Sequence, residues 1–242
     1  MRTLYGLRQS PWTERARWAL DHHAVSYRYH EHVPGLGEVL LRKKAGSLRE
    51  NRASVPLLVD GRDVLKTGAE IARHADRIGR GAPLFPRSSE RDLMHYVELS
   101  DRISGVGRAY ILPRLMRDRA AQRESLPSFL PGPAKRMLSP VAATAAWFLS
   151  SKYAVPRDVE QEIEKTLRPA LEEVRRSLAG KSYLLGSFSF ADVAIASSLR
   201  ALRPEERAPI GPATRAMWTN EPVANAFEDL LMWRDALYAK HR

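Results

Sequence analysis

The sequence predicts a small α/β domain at its N-terminal end, followed by a larger all-helical domain. Three observations carry this. Strand-like and helix-like segments alternate through the first third; a hairpin signal closes that third; and no alternating strand pattern recurs beyond it.

In chain order, Arg2-Thr3-Leu4-Tyr5-Gly6 reads as a short strand ending at a glycine. Ser10-Pro11 then opens a helix: serine is a favoured cap, proline fits the first helical position, and Glu14 suits the positive end of the helix dipole. Ala16, Trp18, Ala19 and Leu20 carry that helix to about Ala24. Val25, Tyr27 and Tyr29 alternate with Ser26, Arg28 and His30, the period of a half-buried strand. Pro34-Gly35-Leu36-Gly37 is a loop, and Glu38 to Lys44 a short helix. Val55-Pro56-Leu57-Leu58-Val59, Asp60-Gly61 and Arg62-Asp63-Val64-Leu65 read as a hairpin, with Asp60-Gly61 as the two positive-φ residues of a tight primed turn. In Thr67-Gly68-Ala69-Glu70, Thr67 caps a helix and Glu70 reaches back, and the helix runs to about Ile78. Strand, helix, strand, helix, hairpin, helix is a thioredoxin-like order.

Gly79-Arg80-Gly81-Ala82-Pro83 reads as a linker, and the expected division is 1–80, a linker over 81–87, and 88–242. A long helix is expected from Ser89 to about Arg119. The proline-rich stretch 126–133 breaks regular structure, and an alanine-rich helix follows over Val141–Leu149. Val159, Ile163, Leu167, Leu171, Val174 and Leu178 recur at helical spacing, with a kink expected at Pro169. Ser189-Phe190-Ala191-Asp192 opens a helix with a capping-box pair, flanked by Phe188 and Val193 as a hydrophobic staple. The last helix is expected from Val223 to about Ala239, with Phe227, Leu230, Leu231 and Leu237 on one face.

Composition narrows the chemistry. With 44% hydrophobic and 28% charged residues the chain is globular rather than disordered. No apolar run reaches the roughly 20 residues that cross a bilayer, and the first residues lack a signal-peptide stretch. The absence of cysteine excludes disulfides, thiolate metal sites and thiol nucleophiles, and the expected compartment is the cytoplasm. The formal charge of +11 favours anionic partners. Its densest cluster, Arg42-Lys43-Lys44 with Arg49 and Arg52, has no interleaved aromatics to stack bases, so a solvated basic surface is preferred over a nucleic-acid platform. His22-His23 and His30-Glu31-His32 are read as surface histidines, and no metal is expected because no third ligand accompanies them.

Three motifs resemble one family. Ser10-Pro11-Trp12 with Arg15-Ala16-Arg17-Trp18-Ala19-Leu20 is similar to the first helix of serine-type cytosolic glutathione transferases. Val55-Pro56-Leu57-Leu58 with Asp60-Gly61 and Leu65 resembles their glutathione-binding hairpin, and Gly186 to Ala194 resembles the motif that begins a buried helix of their C-terminal domain. The resemblance implies the two-domain glutathione-transferase fold and glutathione as co-substrate. It also implies a small apolar electrophile as second substrate, and a homodimer.

Ser10 would then stabilise the glutathione thiolate by a hydrogen bond at a helix N-terminus. Its alternative role is a plain helix cap, and Tyr5 is the rival hydroxyl. Pro56 is expected to be cis, with the Val55 backbone turned toward an extended peptide ligand. The family's acidic-serine pair at the start of the third helix falls on Thr67-Gly68, where backbone N–H groups and the Thr67 hydroxyl remain for a carboxylate. Lys44 and Arg52 are candidate partners of the glycyl carboxylate. Trp12, Tyr110, Met116 and the segment 129–148 are candidate lining of the second-substrate pocket. The competing readings are a non-catalytic binding protein of the same fold that has lost glutathione binding, and a translation or nucleic-acid accessory.

Overall fold

In a computed structural model the described residues are 1–242 except 36, 47–52, 127–129 and 157, with Arg87 described by its backbone alone. Strands β1 (Thr3–Gly6), β2 (Arg28–Glu31), β3 (Leu57–Asp60) and β4 (Asp63–Leu65) form one sheet in the order β2-β1-β3-β4. β1 pairs parallel with β2 and antiparallel with β3, and β3 pairs antiparallel with β4. The parallel pair needs a crossover, supplied by α1 (Pro11–His22).

Side chains of neighbouring strand residues leave the sheet on opposite faces, so the pairs Leu4/Tyr5 and Leu58/Leu57 build two separate layers. Leu4 and Leu58 pack with Ala16 and Leu20 of α1 and with Ile71 and Ala75 of α3 (Gly68–Ile78). Tyr5 and Leu57 pack with Leu41 of α2 (Glu38–Lys44), Ala45 and Ala53. α2 has the bounds its sequence predicts, and β2 starts three residues later than the alternation from Val25 suggests.

The hairpin turn differs from its prediction. Asp60 pairs with Asp63, so the two turn residues are Gly61 and Arg62, and Gly61 has φ +61°. Asp60 stays in the strand, where it accepts from Arg2 and pairs with His74. Only the first turn residue has a positive φ, the glycine-first form of a primed turn. At α3 the Thr67 hydroxyl accepts the Glu70 N–H at 3.1 Å, as a cap should, but the Glu70 carboxylate accepts the N–H of Lys66 rather than that of Thr67.

The rest of the described chain is helical. α4 (Glu90–Leu115) is its spine. It ends before the expected Arg119 because Asp118 caps a new helix, α5 (Arg119–Glu124), through the N–H groups of Ala120 and Ala121. α6 spans Gly132–Lys152, far longer than the expected 141–149. Pro133 sits in its first turn, where no N–H is required. Pro140 removes a donor for the carbonyl of Arg136, and the Ser139 hydroxyl donates to that oxygen instead, at 3.0 Å.

α7 (Val159–Glu162) continues as a π-helical turn, Ile163–Leu167, into α8 (Arg168–Leu178). The irregularity thus precedes Pro169: the wider turn accommodates a residue that cannot donate to Lys165. α9 (Phe190–Ser198) begins at the predicted box, where Asp192 accepts from the Ser189 N–H, the Ser189 hydroxyl and the Leu184 N–H. A 3-10 turn, Leu199–Ala201, follows. α10 (Pro212–Trp218) went unread in the sequence. The expected final helix is two, α11 (Glu221–Ala226) and α12 (Glu228–His241), broken at Phe227, whose ring remains buried with Leu230, Leu231 and Leu237.

The two halves share a core. Trp18, Ala19 and Ala72 of the α/β part pack with Leu93 and Val97 of α4 and with Ile195 of α9. Asp76 holds the connection, accepting the N–H groups of Leu84 and Phe85. The Trp18 indole donates to the carbonyl of His241, and Arg242 pairs with Glu14, so the end of the chain returns to α1.

Candidate glutathione site and interdomain groove

The turn between β1 and α1 is fixed from three sides. Gly6 approaches α1 so closely that a Cβ there would lie 2.4 Å from Thr13 Cγ2, and the Leu7 N–H donates to the Thr13 hydroxyl. The fully buried Arg200 reaches across from the helical half and donates to the carbonyls of Arg8 and Gln9, at 3.4 and 3.2 Å. Its guanidinium also pairs with the buried Glu205. Burial alone would raise the Glu205 carboxyl, but Arg200 outweighs it and holds the group below its ordinary value.

Ser10 follows, extended at φ −71° and ψ 129° and half-buried. Its backbone carbonyl accepts the Glu14 N–H, yet its hydroxyl makes no capping hydrogen bond. A serine at this position with an uncommitted hydroxyl faces the partial positive charge of the α1 N-terminus. Tyr5, by contrast, is buried under α2 with its ring edge-on to His30. It borders a cavity of about 210 Å³ with His30, His32, Val33 and Leu40, and a larger hollow of about 590 Å³ lies in the helical half between Arg203 and Asp235. Neither is lined by Ser10 or Trp12.

The Val55-Pro56 bond is cis, and the Val55 N–H and C=O make no hydrogen bond among the described residues. Thr67 is exposed and Gly68 buried at the start of α3. Arg15 occupies the place that a side chain at position 68 would take: a Cβ on Gly68 would lie 2.7 Å from its Nε. The guanidinium is pinned there, donating to the Ser100 hydroxyl at 2.9 Å and pairing with Asp101 at 2.9 Å. Burial lowers its pKa, opposed by Asp101, and its Nε has no hydrogen-bond partner among the described residues. Arg15 stands in the first-helix motif, but only the glycine at position 68 signals where its side chain takes the room.

Gly68→Ser should therefore destabilise the fold by about 1–3 kcal/mol, since the new side chain must displace a pinned arginine. Urea unfolding midpoints of the two proteins measure it, and an unchanged midpoint would show that Arg15 can move aside freely.

Lys44 is exposed and Arg52 lies outside the described residues. Trp12, in the first turn of α1, donates its indole N–H to Asp101 of α4 at 2.7 Å. Its ring is covered by the guanidinium of Arg108, whose other contact is the ring of Tyr153 at the end of α6. These residues face one another between the halves. Tyr110 does not join them. The Tyr110 hydroxyl donates to the carbonyl of Thr219 beside α10, and Met116 ends α4, its carbonyl taken by Gln122. Of the segment 129–148, Phe129 lies outside the described residues and 132–148 belongs to α6.

Two histidines read as surface residues are buried. His23 bonds to Asp76 and His32 to Glu38, with Lys152 on the same carboxylate. Among the described residues no group of His, Cys, Asp and Glu is arranged to hold a metal ion, and no helix is long and apolar enough to cross a membrane.

Residues 4–83 match the family model of the glutathione S-transferase N-terminal domain. Solved structures align over nearly the whole chain. A glutathione S-transferase from Methylobacillus flagellatus with glutathione bound is 14% identical, with 98% of this chain and 94% of that one covered and a TM-score of 0.61. The β-etherase LigF from a Sphingobium strain is 14% identical, with 99% and 95% covered and a TM-score of 0.61. A possible glutathione S-transferase from Rhodopseudomonas palustris is 15% identical, with 98% and 93% covered and a TM-score of 0.56. No curated protein matches the chain. Residues 4–83 thus match the glutathione S-transferase N-terminal domain, and the whole length has the glutathione-transferase fold.

Proposed function

We propose that the protein binds glutathione and holds its thiol as thiolate for attack on a small electrophile. The observation that carries this is the Ser10 hydroxyl, uncommitted at the N-terminus of α1. A hydroxyl donor and a helix N-terminus both favour a thiolate over a thiol. The peptide would lie along the Val55-Pro56 backbone, and its γ-glutamyl carboxylate would meet the N–H groups of Thr67-Gly68 at α3, the longer helix of this edge. Its glycyl carboxylate would lie toward Lys44 and Arg52, and the second substrate against Trp12. Met116 stays candidate lining of that second site, and Tyr110, whose hydroxyl donates to the Thr219 carbonyl beside α10, is not part of this reading. The working division is a glutathione-binding domain over 1–80 and a helical domain over 88–242, in a cytoplasmic homodimer. Relatives of this fold with glutathione bound support the ligand.

A second reading has its own observation. Arg15 beside Gly68 makes the start of α3 cationic, where a carboxylate would otherwise receive the glutathione ammonium. That favours a binding protein without glutathione chemistry. Calorimetric titration with glutathione separates the two: affinity in the micromolar to low-millimolar range supports the enzyme, and absence of heat at several millimolar sinks it.

A further inference from the structure

Three cationic side chains approach the groove between α1, α4 and the end of α6, and two of them are already engaged. Arg15 is held by Ser100 and Asp101. Lys152 donates to both oxygens of Glu38 and to the carbonyl of Ala53. Arg108 is different: it makes no hydrogen bond and no ion pair among the described residues, although it is only partly exposed. Asp101, the carboxylate that acts on it through space, makes no ion pair with it and gives its Oδ1 to the Trp12 indole and to Arg15.

What Arg108 does have is two aromatic rings, Trp12 with its centroid 4.7 Å from the guanidinium carbon and Tyr153 at 3.8 Å. Rings can cover the faces of a guanidinium but cannot accept the in-plane N–H groups at its edge. Those edges match a carboxylate, which takes two parallel N–H bonds. Burial of Arg108 lowers its pKa, with only partial relief from Tyr153 and Asp101. The cation therefore sits in a place that costs it solvation and returns no anion.

Space for a ligand lies beside it. Gly105 is one turn earlier on α4, between Asp101 and Arg108 in the helical repeat, and a Cβ there would meet nothing within 4 Å. Room is thus left on α4 one turn from the guanidinium, and Trp12 is two residues from Ser10, the cap of α1.

We propose that Arg108 selects a second substrate that carries a carboxylate, seating that group in the plane of its guanidinium while the electrophilic part lies over Gly105. This rests on the transferase reading above and narrows its electrophile from apolar to anionic. With an aryl chloride as the probe, the glutathione sulfur forms the new C–S bond. The C–Cl bond breaks with its electron pair on chloride, and the thiol proton goes to solvent.

The test compares a chloro-dinitrobenzoate with the corresponding uncharged benzamide, alongside calorimetric binding of a dinitrobenzoate that lacks the chlorine. The wild-type protein should prefer the benzoate in kcat/KM, and Arg108→Met should lower that preference about tenfold, the scale of a charge-assisted pair open to solvent. Arg108→Lys should keep part of it. Equal kcat/KM for benzoate and benzamide in the wild type, or an unchanged ratio in Arg108→Met, overturns the proposal. The chlorine-free benzoate keeps the two readings separable. If it binds in an Arg108-dependent way while glutathione gives no heat, the anion seat stands and the transferase reading falls. If glutathione binds and this benzoate does not, the reverse holds.

Discussion

Ser10→Ala is expected to leave the fold intact, leave glutathione bound, and lower turnover at neutral pH by about 100-fold, the usual loss when one preorganised donor to a developing or resident anion is removed. The thiol of bound glutathione should titrate well below the ordinary thiol value of about 8.5 in the wild type and return toward it in the variant. Ultraviolet thiolate absorbance followed against pH measures this directly. Stability provides the contrast. A serine that caps a helix typically contributes about 1 kcal/mol, whereas this hydroxyl makes no such bond, so Ser10→Ala should move the unfolding midpoint hardly at all. A large stability loss with an unshifted thiol would identify Ser10 as a cap and nothing more. Tyr5→Phe is the control: it keeps the ring packed against Leu41 and Leu57 beneath α2, and removing the hydroxyl should leave the thiol unmoved.

Much of the α/β part was legible because its signals are local. The start of α1 at Ser10-Pro11, the bounds of α2, and the Thr67 cap each depend on residues within a few positions of one another. The errors come from partners the local pattern does not contain. The alanine-rich helix reads as starting at Val141 until the Ser139 hydroxyl is seen to satisfy the carbonyl that Pro140 leaves open. Asp60-Gly61 reads as the turn until the pairing of Asp60 with Asp63 moves the turn on by one residue. His23 and His32 read as surface residues until Asp76 and Glu38 arrive from later segments.

The candidate site divides along the same line. Ser10, Trp12 and the Val55-Pro56 pair stand in short motifs. Arg15 stands in the first-helix motif too, but an arginine on a helix is ordinarily a solvated charge, and nothing adjacent marks Arg15 and Arg200 as buried or Arg108 as covered by two rings. Partners far along the chain hold each of them, Ser100 for Arg15, Trp12 for Arg108, and Gln9 for Arg200, which also pairs with the nearby Glu205. The high positive charge of the chain, which suggested anionic partners in general, is thus partly absorbed by internal carbonyls and carboxylates.

Arg200→Met tests that absorption, and it should be the most destabilising of these substitutions, by about 3–5 kcal/mol, because it strands a buried carboxylate. Glu205 is 5% exposed and owes its depressed pKa to Arg200. A carboxyl with a depressed folded-state pKa contributes stability above its unfolded value and loses it as pH falls through the folded one. Without Arg200, burial, the largest influence on Glu205, is opposed only by a backbone hydrogen bond and by Arg234, so the deficit of the variant should shrink as pH falls from neutral toward 5. Adding Glu205→Gln should recover a substantial part of the stability at neutral pH by removing the stranded charge. It should not recover the catalytic effect. The carbonyls of Arg8 and Gln9, immediately before Ser10, would still lack their donor, and the bound thiol should still titrate closer to the ordinary value than in the wild type. Urea midpoints at two pH values, with thiol titration of the double variant, separate the two roles of Arg200. If stability and thiol pKa recover together, Arg200 only neutralises Glu205. If stability returns and the thiol does not, Arg200 is a positioning residue that sets where Ser10 stands.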